Sequence, residues 1–362
     1  MKKRKMRKSI IILLVLLIAI VAYPTFLILQ LTSKDYTFST SIKIIKHDLR
    51  EQVLAKNYSK TLETAINDNN FNIKYVNNYF EIDYKEQKNF IKNINELIKK
   101  EYLSSDINII NTKLTEDEIS SLISKDYIKD LVKYLEFDFF KFENLDRYLK
   151  YETENYKDKI VYVNIGLDKE YYKDAKTITE FNINVIANKY NKLDENFEPN
   201  DIQKIKSTCS IGTEYLSITA KEAFEKMCDD AANANKFILA NSAYRSYKDQ
   251  QGVYDTYLKL YGKTYVSNYV ANPGFSEHQT GLAVDVAAKG YNIFKTSPEY
   301  KWMLNNAYKY GFILRYPQGK EKITGYKAEA WHFRYVGLEA AKYIQENNIT
   351  YDEYYVMFVD IK

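Results

Sequence analysis

An uncharged apolar stretch near the N-terminus constrains this chain more than any other feature. It covers residues 10–31, 22 residues without a charged side chain, which as a helix would span about 33 Å, enough for a bilayer core. Six cations precede it within residues 2–8, and only Lys34 follows it closely. Since Lys and Arg favour the cytoplasmic flank, the sequence predicts a single-pass membrane anchor with a cytoplasmic N-terminus and everything after Ser33 outside.

A cleaved signal peptide is the alternative interpretation of this segment. The N-terminal flank is basic, and residues 10–22 have the length of the apolar region of a signal peptide. However, no A-x-A cleavage site follows, and apolar residues continue past Pro24. We therefore expect an uncleaved anchor.

The composition is that of folded domains and not of a disordered or nucleic-acid-binding chain. The 362 residues are 46% hydrophobic and 15% aromatic, with only 11 Gly and 5 Pro, which suggests two domains rich in helix. The formal charge is +4, but the six N-terminal cations exceed that total and leave the rest of the chain at −2. A near-neutral body does not provide a phosphate-binding surface, so we expect no nucleic-acid partner.

The polar region between the anchor and about residue 205 is expected to be mainly helical, without a cluster of catalytic residue types. Its best-defined element begins at Thr115, which forms a capping box with Glu118. Short helices are predicted over 127–135 and 145–151. The apolar, β-branched stretch 159–163 predicts a strand.

From about residue 206 the pattern changes to alternating helices and short strands. The predicted elements are a helix over 219–235 with a capping box at Thr219 and Glu222, a strand over 237–244, a helix over 246–262, strands over 281–287, 312–316 and 331–336, a helix from Ser297 to before Gly311, and a last helix near Leu338. Alternation in 281–287 places Val284 and Val286 on one face of the strand and Asp285 on the other. This pattern predicts a compact α+β domain.

Two cysteines, Cys209 and Cys228, lie in the part of the chain predicted to be outside, where a disulfide is chemically possible. Cys228 shares one face of the predicted helix with Phe224, Met227 and Ala231, so its simpler interpretation is a buried, small apolar residue. Neither cysteine has C-x-x-C spacing or a neighbouring His. We therefore expect neither to bind a metal or to catalyse.

Two of the three histidines lie in polar clusters that also contain carboxylates. His278 stands a few positions before Asp285, and His332 follows Glu329. Two imidazoles and one carboxylate suit Zn²⁺ at about 2.0–2.2 Å and leave a fourth position for water, as catalytic sites require. A single His or Glu is more often structural or solvated, but together His278, Asp285 and His332 are candidate metal ligands.

These residues stand in motifs that resemble VanY-type D-alanyl-D-alanine carboxypeptidases, zinc peptidases grouped with lysostaphin and the hedgehog fold. The matching segments are 242–246 (SAYRS) with Gln250, 273–281 (PGFSEHQTG) with Asp285, and 329–332 (EAWH). The resemblance covers residues 206–345. Its departures, Ala243 where Gly is frequent and Phe275 where His or Tyr is usual, do not involve a ligand.

The resemblance implies that His278, Asp285 and His332 bind zinc and that Glu329 is the general base. Glu329 would take a proton from water and later return it to the leaving amine. The resemblance also implies a compact C-terminal zinc peptidase fold of the hedgehog and D-Ala-D-Ala peptidase type.

Three further residues receive roles in catalysis or substrate binding. Arg245, at the end of a predicted strand, would by resemblance hold a substrate carbonyl or carboxylate, for which its planar guanidinium is suited. Gln250 and Ser276 are expected to bind the peptide end, although helix-surface or capping roles are the alternatives.

The anchor and the resemblance together predict a membrane-anchored zinc carboxypeptidase that removes the C-terminal D-alanine from peptidoglycan stem peptides. The expected organisation is a basic tag and transmembrane anchor (1–34), a mainly helical extracellular spacer or interaction region (35–205) and the zinc carboxypeptidase domain (206–362). The alternatives are an L,D-carboxypeptidase, a peptidoglycan endopeptidase and a non-catalytic, zinc-stabilised cell-wall-binding module, for which Glu329 would be unnecessary. The sequence points to no particular protein partner.

Overall fold

The computed structural model describes residues 8–361, and backbone contacts divide the chain into two units, Met1–Glu136 and Phe137–Lys362. The cations of the basic tag before Lys8 lie outside the described residues. The helices of the first unit are α1 (Lys8–Thr32), α2 (Phe38–Lys46), α3 (Arg50–Leu54), α4 (Lys60–Ile66), α5 (Val76–Glu81), α6 (Phe90–Lys99), α7 (Ser104–Lys113), α8 (Glu116–Ile123) and α9 (Leu131–Leu135).

Helix α1 contains the apolar stretch identified in the sequence. Its segment Ile10–Thr32 has 23 residues and a mean hydropathy of 2.9, and no part of its most apolar window is buried in the protein. By length and composition this helix can cross a membrane, a criterion that an N-terminal signal sequence also meets.

Side-chain hydrogen bonds to backbone carbonyls about 25 residues earlier in the chain stabilise the first unit. Asn95 in α6 donates from Nδ2 to the carbonyl of Asn70 (2.6 Å), and Asn108 in α7 donates to the carbonyl of Glu81 (2.9 Å). Helices this short are unstable in isolation, so they depend on such contacts and on packing. The predicted capping box is confirmed, because Thr115 and Glu118 bond reciprocally at the start of α8.

The second unit mixes helices and antiparallel sheet, in agreement with the predicted α+β class. Its helices are α10 (Leu145–Lys150), α11 (Tyr156–Ile165), α12 (Ile218–Asn233), α13 (Tyr247–Tyr269), α14 (Pro298–Asn306), α15 (Glu321–Thr324), α16 (Leu338–Asn347) and α17 (Tyr351–Tyr354). Its strands are β1 (Lys176–Ile178), β2 (Asn191–Leu193), β3 (Ile202–Lys204), β4 (Tyr215–Ser217), β5 (Ile238–Ser242), β6 (Ala283–Ala288), β7 (Phe312–Tyr316) and β8 (Glu329–Tyr335).

The main sheet has four strands in the order β5-β6-β8-β7, all antiparallel. Its inner face forms the core of the unit, where Val284, Val286 and Phe333 cluster with Phe224 of α12. Since side chains alternate across a strand, Asp285 lies on the opposite face, as the sequence predicted. The two remaining strand pairs are β1 with β2, which is parallel, and β3 with β4, which is antiparallel.

The predicted strand over 159–163 is wrong, because these residues lie in α11. Asn155 caps this helix by accepting a hydrogen bond from the backbone N–H of Asp158 at 3.1 Å. Ile160 and Val163 are fully buried on the helix. Packing and capping thus override the strand preference of the β-branched residues.

Two helix ends also differ from the sequence prediction. Helix α12 begins after Ser217, so the capping box predicted at Thr219 and Glu222 does not form. Helix α13 does not end at Gly262 but is kinked there, where the glycine adopts φ 80° and ψ 175°, and it continues to Tyr269.

Cys209 and Cys228 form a disulfide that links the turn before β4 to α12. The disulfide that the sequence left open is therefore formed, and the predicted burial of Cys228 is confirmed at 6% exposure. The two Cα atoms are 6.0 Å apart, within the ordinary range for this bond.

The segment before residue 206 belongs to the second unit because it satisfies buried polar groups around the sheet. Arg334 of β8 donates from Nη2 to the carbonyl of Val185 at 2.6 Å. The side chain of Gln279 donates to the carbonyls of Asp194 (3.0 Å) and Phe197 (3.1 Å). The second unit therefore includes residues before 206, and the predicted division of the chain at 206 stays a prediction.

Reduction of the disulfide is expected to lower the free energy of unfolding of the second unit by about 3 kcal/mol. The bond joins residues 19 positions apart, and it restricts the unfolded chain accordingly. Urea unfolding of the full chain in detergent, followed by near-UV circular dichroism, would measure the change. The control is the Cys209→Ser/Cys228→Ser variant, whose midpoint should not respond to reductant; equal midpoints for oxidised and reduced protein would contradict the prediction.

Candidate active site

The three candidate metal ligands meet at one place on the outer face of the sheet. Asp285 of β6 lies directly opposite His332 of β8 in the antiparallel register. His278 comes from a short 3-10 turn, Glu277–Thr280, just before β6. One ligand atom from each of the three side chains lies within 4.8 Å of the other two. Strand pairing therefore positions two ligands, and the turn supplies the third.

Gly281 makes the tight connection between His278 and β6 possible. Its φ of +65° lies in the left-handed region, which residues with a Cβ adopt only at a cost. A Cβ at this position would clash with Ile202 Cδ1 and lie 3.2 Å from the backbone nitrogen of Ser217. The glycine therefore lets the chain turn sharply from the histidine into the strand.

The spacing of the donor atoms fits a tetrahedral zinc ion. His278 Nε2 is 3.4 Å from Asp285 Oδ1, and His332 Nδ1 is 3.1 Å from the same oxygen. Two donors bound at about 2.0–2.1 Å to a tetrahedral ion are about 3.3 Å apart. Two imidazoles and a carboxylate also provide the nitrogen and oxygen donors that zinc favours, and they leave the fourth coordination position of a tetrahedral ion open.

The backbone sets the protonation of His278. Its Nδ1 lies 2.6 Å from the carbonyl oxygen of Ala243, an atom that can only accept a hydrogen bond. The proton is therefore on Nδ1, and the lone pair of Nε2 faces the other ligands. Burial lowers the pKa of His278 to about 4, so the ring is neutral, as a metal ligand must be.

His332 is oriented by a carboxylate behind it. Its Nδ1 faces Asp285, and its Nε2 is 3.6 Å from Glu277 Oε2. Both His332 Nε2 and Glu277 Oε2 are buried and have no other hydrogen-bond partner. Burial lowers the pKa of His332, but interactions with Asp285 and Glu277 outweigh it and raise the pKa to about 9. A metal and a proton would therefore compete for Nδ1.

Two buried arginines hold Glu277, a feature that the sequence analysis missed. Arg315 donates from Nε to Glu277 Oε1 at 2.8 Å, and Arg334 Nη1 lies 3.2 Å from the same oxygen. Burial raises the pKa of Glu277, but the two guanidinium groups hold it well below its ordinary range. The available signal was a single arginine inside each of the predicted strands 312–316 and 331–336.

Glu329, the expected general base, lies next to the ligands at the start of β8. Its Oε2 is 3.9 Å from His332 Nδ1, the nitrogen that faces the candidate metal position. Burial raises the pKa of Glu329 to about 7. A carboxyl group with a pKa near neutrality is suited both to accept and to return a proton.

Arg245 follows β5 and extends over the ligands. Its Nη2 is 3.8 Å from Asp285 Oδ2, and its Nη1 donates to Gln250 Oε1 at 2.7 Å. Gln250 is 2% exposed and donates from Nε2 to the carbonyl of Ala271. Both the oxygen and the nitrogen of its side-chain amide therefore have hydrogen-bond partners within the protein. Arg245 Nε is buried without a hydrogen-bond partner.

A cavity of about 410 Å³ lies above these side chains. It is lined by all seven residues singled out in the sequence, with Ser276 itself 5% exposed. Its walls also contain aromatic residues that the sequence analysis did not assign to the site: Tyr257, Tyr265, Tyr269, Tyr316, Tyr326 and Trp331. Three of these tyrosines lie on α13 at spacings of four or eight residues, a signal visible in the sequence.

Comparisons with known proteins find similar chains over the part of the sequence that contains these residues. The family model for VanY, D-alanyl-D-alanine carboxypeptidase, matches residues 213–338. YodJ of Bacillus subtilis is 38% identical over 206 residues, which cover 52% of this chain and 76% of YodJ. The bifunctional D-Ala-D-Ala dipeptidase and carboxypeptidase VanXYC of Enterococcus gallinarum is 35% identical over 177 residues, which cover 47% of this chain and 92% of VanXYC.

This chain belongs to the VanY-type D-alanyl-D-alanine carboxypeptidase family. Among solved structures, the LdcB LD-carboxypeptidase is similar, with 39% identity, a TM-score of 0.48, and coverage of 51% of this chain and 91% of LdcB. Membership of the VanY-type family supports a hydrolytic, carboxypeptidase activity on peptides of the peptidoglycan type.

Replacement of Glu277 by Gln is expected to lower the free energy of unfolding by about 3–5 kcal/mol, because it leaves buried arginine charge without its partner. Denaturant unfolding of the full chain would measure the loss. Glu346→Gln, at an exposed position on α16, is the control and should change stability by less than about 0.5 kcal/mol. Equal stability of the two variants would contradict a stabilising charge pairing between Glu277 and the two arginines.

Proposed function

We propose that this protein is a zinc-dependent carboxypeptidase that removes the terminal D-alanine from peptidoglycan stem peptides. The observation that carries the proposal is the convergence of His278, Asp285 and His332 with a buried carboxyl group, Glu329, in one open cavity. A zinc-stabilised binding module would need the three ligands but not the fourth, proton-transferring group.

The three ligand side chains would hold zinc through His278 Nε2, Asp285 Oδ1 and His332 Nδ1. When bound, zinc would lower the pKa of water to about 7 and polarise the scissile carbonyl. The protein contributes the orientation: the carbonyl of Ala243 fixes one imidazole, and Glu277 faces the second nitrogen of the other.

Glu329 would transfer the proton. In this role its carboxylate accepts a proton from the attacking water and then donates it to the amine of the departing D-alanine. Burial, which raises its pKa to about 7, makes both directions of transfer accessible near neutral pH.

Arg245 would bind the free carboxylate of the substrate or the carbonyl next to it. Its place in the lining of the cavity, beside Asp285, supports this assignment, because a guanidinium group is well suited to bind a carboxylate or a carbonyl oxygen. Gln250 would act as a positioning residue, since its amide holds Arg245 and is itself held by Ala271. Ser276, which also lines the cavity, would contact the peptide end.

Replacement of Glu329 by Gln is expected to lower kcat by at least about a hundredfold without loss of zinc, because the amide cannot accept the proton. Turnover of a soluble stem pentapeptide and the zinc content by atomic absorption would be measured together. Glu299→Gln is the matched control: Glu299 is also buried, at 5% exposure, but accepts a bond from Phe237 N–H outside the cavity. Full activity of Glu329→Gln would contradict the proposed mechanism.

The bond cleaved is testable with paired substrates. The full chain in detergent should release one alanine from a stem pentapeptide, detected by mass spectrometry, and a chelator should abolish the release until zinc is returned. Cleavage of the tetrapeptide alone would establish an L,D-carboxypeptidase instead, and internal fragments would establish an endopeptidase. Absence of zinc-dependent cleavage would contradict an enzymatic function.

We further propose that α1 anchors the protein in the cell membrane, with its N-terminus in the cytoplasm and the second unit outside, where peptidoglycan lies. The basic flank before α1 supports this orientation. Proteinase K added to intact spheroplasts that express the chain is expected to degrade the second unit and to spare a cytoplasmic control protein. Protection of the second unit until lysis would contradict the orientation.

A further inference from the structure

Four tyrosines form a continuous aromatic surface along α13. They are Tyr257, Tyr261, Tyr265 and Tyr269, spaced four residues apart, with the break at Gly262 between the first pair and the second. Ring centroids are 5.7 Å apart between Tyr257 and Tyr261, 4.6 Å between Tyr261 and Tyr265, and 4.8 Å between Tyr265 and Tyr269. We call these four side chains the tyrosine wall.

The kink at Gly262 shortens the distance between the tyrosine rings before and after it. In a straight helix, residues eight positions apart are separated by about 12 Å along the axis. The rings of Tyr257 and Tyr265 are nevertheless only 6.1 Å apart and nearly parallel, at 11°. The non-helical conformation of Gly262 between them (φ 80°, ψ 175°) permits this approach. The result is a compact platform of rings instead of a row of separate side chains.

The tyrosine wall faces solvent. Tyr257, Tyr261 and Tyr269 are 37%, 58% and 41% exposed, although aromatic rings of this size are usually much more buried. A contiguous exposed aromatic surface is typical of a binding site. No other aromatic cluster in residues 8–361 combines this exposure with a place in the wall of the candidate active site.

The wall continues directly from the cleft. Tyr257, Tyr265 and Tyr269 line the same cavity as the candidate metal ligands, whereas Tyr261, the most exposed of the four, lies outside it. A substrate whose carboxyl end reaches the ligands would therefore extend its remaining parts past this surface. In peptidoglycan, the part beyond the stem peptide is the glycan strand.

We infer that the tyrosine wall docks the glycan strand of peptidoglycan beside the cleft. This inference rests on the proposed function for the identity of the polymer. The chemistry of the surface matches a sugar ring: a pyranose has apolar C–H faces and hydroxyl edges, and a tyrosine has an apolar ring and a hydroxyl tip that can exchange hydrogen bonds. The uncharged phenols suit an uncharged ring better than they suit an ionic group.

The test measures binding of glycan strands from which all peptides have been removed, with a chelator present. Isothermal titration calorimetry on the full chain in detergent would compare the wild type with Tyr257→Ala/Tyr261→Ala and with Tyr261→Ser. We expect the double variant to bind about fivefold to tenfold more weakly, since two stacking surfaces are removed. Leu260→Ala is the matched control, at a side chain 64% exposed on the same helix but outside the wall.

Each outcome decides between the proposals. Because the probe has no peptide and the chelator removes metal, glycan binding is independent of hydrolysis, so a failed peptidase assay with intact glycan binding would overturn only the proposed function. Absence of binding by the wild type, or equal binding by all variants, would overturn the glycan assignment. Concentration-dependent self-association that Tyr261→Ser abolishes would assign the wall to a second copy of the chain and likewise overturn it. If the double variant does not fold, Tyr261→Ser, a single substitution at an exposed residue, still tests the proposal.

Discussion

The carboxylate of Glu277, enclosed by two fully buried arginines, is the interaction on which the candidate site depends. Charges removed from water are costly unless they are paired. Here Arg315 and Arg334 share one oxygen of Glu277, and Arg315 also donates to Asp352 at 2.6 Å. Two cations and two anions thus form a neutral buried cluster. Since Glu277 precedes one candidate ligand in the chain and faces another in space, fixing this carboxylate fixes both imidazoles.

The same cluster explains why the peptidase unit extends beyond its catalytic motifs. Asp352 of α17 accepts a hydrogen bond from Asn188 Nδ2 at 2.7 Å, and Arg334 donates to the carbonyl of Val185. The segment around residue 188 and the C-terminal helices therefore complete the pairing of charges beneath the site. A fragment restricted to residues 213–338, which carry the family match, would leave donors and acceptors of this cluster unpaired in the interior.

Features of the structure that depend on residues close together in the sequence could be predicted, whereas features that depend on contacts between distant parts of the chain could not. The orientation of Asp285 followed from alternation within one strand, and the capping box at Thr115 followed from two residues three positions apart. The pairing of Glu277 with Arg315 and Arg334 could not be predicted in this way, because the two arginines lie far from Glu277 in the sequence and only the folded sheet brings them together. The disulfide was left open and the helical conformation of 159–163 was missed for the same reason: each is decided by tertiary packing and not by local preference.

Helix α13 links the binding of the substrate's end to the surface beside the cleft. Its first turn, capped by Ser246, carries Gln250, which holds Arg245 over the ligands. Beyond the kink at Gly262, the rest of the helix turns so that its tyrosines still line the same cavity. A straight helix would carry its second half away by about 1.5 Å per residue. The break in the helix is therefore what lets one element contribute both the charged group above the candidate metal and the aromatic wall of the cleft.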